Sequence, residues 1–287
     1  LMVVANSNSW TYDGQEYADG GYTVTYGTET YTVKAGESAT LSTGDTVTAT
    51  ITKTVKNVSD TATGNNEIVE LTITNRDQYT NVQQESGTLS ITPIEIELTA
   101  GSDEKVYDGK ELTKNTYSVT KGAFVSGEGV ATATVVGSQL NVGESDNVIE
   151  EYVLTAATLP ENYSITLKPG KLIVTPVTDK VTVTVTENSG KFTYDAKEHT
   201  VTGYSSMVSN NDLYSVQTSV KVTDDQAHWA ATATDAGTYP LGILSTDFEN
   251  MNPNFTNVEF VIEDGTMVID PMKVTITAGS ASRKYDG

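Results

Sequence analysis

Few side chains in this chain are of types that do chemistry, and their spacing narrows the field further. There are two histidines, His199 and His228, and no cysteine. Neither histidine recurs elsewhere, so they form no acid–base or metal constellation with spaced partners, and no metal site is expected. His228 adjoins Trp229. An imidazole beside an indole on a loop is chemistry suited to stacking on a sugar ring or a peptide, and the same indole could instead fill a core. Lys105 with Asn162, and Lys191 with Asn254, place a lysine near a first strand and an asparagine near a last hairpin. Amine attack on an amide with loss of ammonia would join such a pair as an isopeptide. No Gly-x-Ser-x-Gly elbow, phosphate-binding loop or dinucleotide fingerprint occurs. Adjacent carboxylates such as Asp224-Asp225 are common in an acidic chain and do not indicate glycoside hydrolysis. No cofactor is expected. Calcium is the one ion that acidic loops would suit, although no Asp-x-Asp-x-Asp-Gly loop is present. The expectation is that the chain is not an enzyme.

The elements that must position these residues repeat along the chain. Tyr12-Asp13-Gly14 returns as Tyr107-Asp108-Gly109, as Tyr194-Asp195-Ala196 and as Tyr285-Asp286-Gly287, at intervals of 95, 87 and 91 residues. A second landmark runs Gly87 to Pro93, Gly170 to Pro176 and Gly265 to Pro271, with alternating apolar residues between. A third precedes it: Gln78-Tyr79, Asn162-Tyr163 and Asn254-Phe255. Asp-Gly is a turn dipeptide, because Gly takes φ > 0 and Asp bonds its own backbone. A tyrosine just before it can bury its ring and send its hydroxyl to a nearby backbone group. These residues therefore read as a structural corner. The alanine at 196 must meet the left-handed demand with strain or relax it.

Period-two alternation, as in Ile94-Glu95-Ile96-Glu97-Leu98, Val181 to Val185 and Thr46 to Ile51, predicts half-buried strands. The run from Tyr214 to Val222 is read as strand as well. No long 3.6-residue stripe is present, so little or no helix is expected. The fold class expected is all-β: tandem modules of about 90 residues, each an immunoglobulin-like sandwich or, alternatively, a β-grasp-like sheet. The boundaries predicted are 1–93, 94–176 and 177–271, with 272–287 the first strand of a fourth module. Proline ends a ladder without orphaning a donor and stiffens each join, so the modules should line up as a rod, each buried on its own core. The chain reads as an excised, monomeric piece of a longer protein.

Net charge is −21, from 38 acidic and 17 basic residues. Such a chain repels phosphate backbones, so nucleic acid is not an expected partner. No apolar run approaches the roughly 20 residues of a membrane span, so no membrane insertion is expected.

The Tyr-Asp-Gly start, the Asn-Tyr approach and the Gly-x-Leu-x-Ile-x-Pro ending, tiled at about 90 residues, resemble the MBG-type repeat domains of bacterial, mainly Gram-positive, cell-surface adhesins. The family's Ala-Gly-Thr-Tyr signature stands in the third repeat as Asp235-Ala236-Gly237-Thr238-Tyr239. The second has Asn141-Val142-Gly143-Glu144, and the first has no clear equivalent. The resemblance implies an extracellular, wall-attached stalk that presents a distal binding domain and carries no catalytic residues. The alternative is an adhesive module that binds host glycan, mucin or matrix protein directly, with Trp229 and His228 as its contact residues.

Overall fold

The structure is a computed structural model that describes all 287 residues. It is all-β, as its sequence patterning predicts. Strands run from Met2 to Asp270, joined by four 3₁₀ turns and a single α-helical turn, Val216–Ser219, and residues 272–287, expected as a first strand, form none. The α-helical turn corrects the first part of the strand expected over 214–222, while Val220–Val222 is strand as expected. Tyr214 is buried there, and its hydroxyl donates to Ser219 O and Asn250 Oδ1, which curls the backbone around the ring. No helix is long and apolar enough to cross a membrane. The chain divides into two compact units, one of residues 1–103, 113–138 and 145–172, the other of residues 104–112, 139–144 and 173–287.

In the first unit, Met2–Ala5 lies between Gln83–Glu85 and Tyr22–Tyr26, with Glu29–Val33 beyond. A second sheet sets Ala39–Thr40, Thr46–Ile51 and Ile68–Ile73 side by side. Between them lies an apolar cluster that includes Val3, Tyr22, Val24, Val47 and Ile73. Farther along, Asn8–Thr11 pairs with Leu89–Thr92, and Ile94–Ala100 sits between Tyr117–Lys121 and Tyr163–Lys168. The alternation of Ile94–Ala100 is realised as burial: Ile96, Leu98 and Ala100 point inward, while Glu95 and Glu97 meet Lys121 and Lys168 at the surface. One cluster joins Leu89 and Ile91 to Ile96, Leu98 and Tyr163. Burial therefore runs through Pro93 without a break, where separate cores had been expected on either side.

In the second unit, Val181–Glu187 is the central strand between Tyr204–Ser209 and Val258–Glu263. Gly190–Thr193 and Gly237–Pro240 flank Thr266–Asp270. Three small clusters share the apolar burial, around Val183 and Phe255, around Trp229 and Phe248, and around Met267 and Ile269.

A recurring device explains the Gly that opens each Gly-to-Pro landmark. The first strand of the repeat breaks in two and so does the last, as in Met2–Ala5 with Asn8–Thr11 against Gln83–Glu85 with Leu89–Thr92. Where the two breaks cross, a Cβ on Gly87 would lie 1.9 Å from Asn6 O; on Gly170, 2.3 Å from Gly101 O; on Gly265, 2.1 Å from Asn188 O. Only glycine lets the backbones approach so closely. Buried side chains hold the region of the crossing. Asn66 Nδ2 donates to Asn6 O and Asp19 O, and Asn147 Nδ2 donates to Gly101 O and Lys114 O. In the third repeat the buried Glu187 carboxylate accepts from Ile243 N and Gly265 N.

Candidate functional site

The Tyr-Asp-Gly corner forms as its residue types require. Asp13, Asp108 and Asp195 each accept the main-chain N–H two residues on, from Gln15, Lys110 and Lys197. The N–H of the tyrosine reaches the residue before the landmark proline in each copy: Tyr12 to Thr92, Tyr107 to Thr175 and Tyr194 to Asp270, each at 2.8 Å. Gly14 and Gly109 take φ of +81° and +74°, and Ala196 adopts +62°, so the alanine meets the left-handed demand with strain.

The tyrosine of this corner faces the next repeat. Tyr12 is 4% exposed, and its ring meets Tyr163 edge-on at 5.7 Å. Both hydroxyls donate to one carboxylate, Tyr12 to Glu128 Oε1 at 2.6 Å and Tyr163 to Oε2 at 2.7 Å. Burial, and then the Glu128 carboxylate, push the Tyr12 phenol up to about 12 and raise Tyr163 well above the ordinary tyrosine range. Beside the rings, Asn162 is fully buried. Its Oδ1 accepts from Val58 N at 2.9 Å, and its Nδ2 donates to Asn57 Oδ1 at 3.0 Å.

The second unit builds the same joint from the next set of landmarks. Tyr107 meets Phe255 edge-on at 5.7 Å. Asn254 Oδ1 accepts from Val142 N at 2.7 Å, and Asn254 Nδ2 donates to Asn141 Oδ1 at 3.0 Å. Gly14 approaches Val125 in the first joint and Gly109 approaches Leu213 in the second. Two landmarks that look independent in sequence, the corner and the Asn-aromatic turn, are thus halves of one contact. The corner tyrosine and a two-residue Asn-Val step form a socket, and the Asn-aromatic turn of the following repeat fills it. The first repeat's counterpart of Asn141-Val142 is Asn57-Val58, which sequence reading missed because the two share no flanking pattern beyond Asn-Val itself.

Two sequence expectations are corrected. Trp229 is 5% exposed, packs against Phe248, and donates its indole N–H to Asp247 Oδ2 at 2.8 Å. It is a core residue and presents no face to a sugar or peptide. His228 lies beside it with Nδ1 3.3 Å from Asp224 Oδ1 and Nε2 3.0 Å from Asp247 Oδ2. Asp224, His228 and Asp247 place potential ligand atoms within 4.8 Å of one another. The two carboxylates, however, sit at opposite nitrogens of one ring, which suits a hydrogen-bonded bridge between two loops better than convergence on one ion. Burial works to raise the Asp247 carboxyl, but donation from Leu244 N, Trp229 and His228 outweighs it and holds the group below the ordinary aspartate range.

The proposed isopeptide pairs are also set aside. Lys105 Nζ is held by Asp108 Oδ1 at 2.5 Å and Lys110 O at 2.6 Å, at the Tyr-Asp-Gly corner. Lys191 pairs with Asp270 at 3.0 Å. Asn162 and Asn254 are committed to the joints, so the amines and amides stand in different hydrogen-bonded settings. Among the remaining surface features, His199 stacks on Phe192 at 4.3 Å and bonds Asp195. Comparison with known proteins found no family model that matches the chain and no curated protein that matches it.

Proposed function

We propose that these repeats are non-catalytic, load-bearing spacers of an extracellular bacterial surface adhesin, MBG-like in kind, which hold a distal binding domain away from the cell wall. The observation that carries this reading is the pairing of first strands with last strands in parallel. Met2–Val4 pairs with Gln83–Glu85, and Asn8–Thr11 pairs with Leu89–Thr92. Ile94–Thr99 runs parallel to Tyr163–Lys168, and Val181–Thr186 runs parallel to Val258–Glu263, each over six residue pairs. When a repeat is pulled at its two ends, parallel end strands are drawn in opposite directions along their length. The ladder hydrogen bonds and the interdigitated side chains are then loaded together in shear. Antiparallel end strands would instead be peeled one bond at a time.

The joints support the same reading. Each places a buried asparagine and an aromatic pair between successive repeats, so tension passes through packed side chains as well as through the proline link. The direct-binding alternative loses its anchor, because the indole assigned to it lies in a core.

Single-molecule pulling from the two chain ends tests the proposal. The expected record is a series of abrupt unfolding events, each releasing about 30 nm for a repeat of about 90 residues at roughly 3.5 Å per residue. Leu98→Ala, which removes a fully buried side chain from the cluster shared across Pro93, should lower the force at which the first two repeats open and leave the event of the third in place. A smooth, featureless extension at low force would sink the load-bearing reading.

A further inference from the structure

The third repeat carries a socket of the same construction as the other two. Tyr194 occupies the place of Tyr12 and Tyr107 in the corner, with the same main-chain bond to the residue before the proline. Asp235-Ala236 occupies the place of Asn57-Val58 and Asn141-Val142 in the repeat order. Tyr194, Asp235 and Ala236 line an open hollow together with Pro271, Met272 and Val274. Where Asn57 Oδ1 and Asn141 Oδ1 accept from an asparagine Nδ2, Asp235 offers a carboxylate that only accepts, and accepts more strongly. Where Val58 N and Val142 N donate to an asparagine Oδ1, Ala236 is exposed and has a main-chain N–H to offer.

We infer that this face is a docking socket for the Asn-aromatic turn of a further repeat of the same kind, whose first strand begins at Met272. The side-chain amide of that turn is read by both of its atoms, Nδ2 on the Asp235 carboxylate and Oδ1 on the Ala236 N–H. The aromatic that follows it stands edge-on to Tyr194. The sequence of residues 272–287 fits this occupant. Met272-Lys273-Val274-Thr275-Ile276 alternates as Ile94 to Leu98 does, and Tyr285-Asp286-Gly287 repeats the corner. The strands that follow Pro93 and Pro176 pair with a strand just after an Asn-aromatic turn, as Ile94–Ala100 does with Tyr163–Lys168. The strand begun at Met272 gains its partner from the same repeat that fills the socket. One departure is built in: Ala196 carries a methyl where Gly14 and Gly109 meet Val125 and Leu213, so the incoming apolar residue seats slightly farther out.

This inference goes beyond the load-bearing reading, because amide exchange reports an occupied socket whether or not the repeats carry force. The full chain is extended past Gly287 with a copy of residues 110–176, which brings the Asn162-Tyr163 turn, and hydrogen exchange at the Ala236 amide is followed by NMR. Exchange should slow by at least about tenfold on extension. Asn162→Ala in the grafted copy alone should restore the rate of the unextended chain. Protection of the graft's own strand amides verifies that it has folded, and a graft of residues 197–271 serves as a second version. Unchanged exchange beside a folded graft overturns the proposal, as does slow exchange that survives Asn162→Ala. Failure of both grafts to fold also counts against it, since both repeats fold here on sockets of this construction. Protection of Ala236 in the unextended chain that rises with protein concentration would make the occupant a second copy presenting Gln78-Tyr79, which likewise overturns it.

Discussion

At the scale of single residues, the most consequential groups are two phenols, a carboxylate and an amide in the joint. The buried Tyr12 and Tyr163 share the half-buried Glu128 carboxylate, so three polar groups satisfy one another. An unpaired buried group there would cost about 1–3 kcal/mol. The Tyr12 phenol is raised to about 12, above its unfolded value of about 10. Its contribution to stability is therefore fully present below about pH 10 and is lost as pH rises toward 12. Stability measured by denaturant titration should fall across that window, and Tyr12→Phe should flatten the fall while lowering stability at neutral pH by about 1–2 kcal/mol. An unchanged alkaline limb in the variant would show that the joint phenol is not responsible. Sequence alone marked Tyr12 as a buried corner residue but expected its hydroxyl on a nearby backbone group, where the structure has the Glu128 carboxylate. It could not supply the acceptor, because Glu128 lies 116 residues away and belongs to no repeated landmark.

At the scale of elements, the strand pattern was legible almost everywhere, because a period of two is local information. Val181–Glu187 alternates in sequence and alternates in burial. The failure at 214–219 is instructive, since Val220–Val222 beyond it is strand as expected. Tyr, Val and Thr favour extended backbone, but a buried tyrosine hydroxyl that needed acceptors at Ser219 and Asn250 bent the segment into a helical turn. The glycine landmarks were visible as punctuation, and their reason was not: they mark where two broken strands cross. A side chain at Gly87 would press on the Asn6 backbone and not on a movable side chain. Gly87→Ala should therefore destabilise by more than the about 1–3 kcal/mol typical of overpacking. Thermal unfolding measures this, and a loss below about 1 kcal/mol would mean the crossing has slack.

At the scale of the whole molecule, burial does not follow the prolines. Leu89 and Ile91 before Pro93 share a cluster with Ile96 and Leu98 after it. The two sides should open together. Ile96→Ala, costing about 2–5 kcal/mol as a core truncation, is expected to weaken amide protection in Leu89–Thr92 as well as in Ile94–Ala100. Hydrogen exchange in which the loss stops at Pro93 would show that the two sides fold independently.

The sequence by itself determined the all-β class, the repeat and the turn at each Tyr-Asp-Gly, since all three rest on local periodicity and on backbone conformations that particular residues favour. Only the tertiary structure decided that the corner and the Asn-aromatic turn meet in one joint, that Trp229 is core, and that Lys105 and Asn162 serve different sites. Those outcomes depend on which distant donors and acceptors folding brings within 3 Å, a quantity that no spacing along the chain encodes.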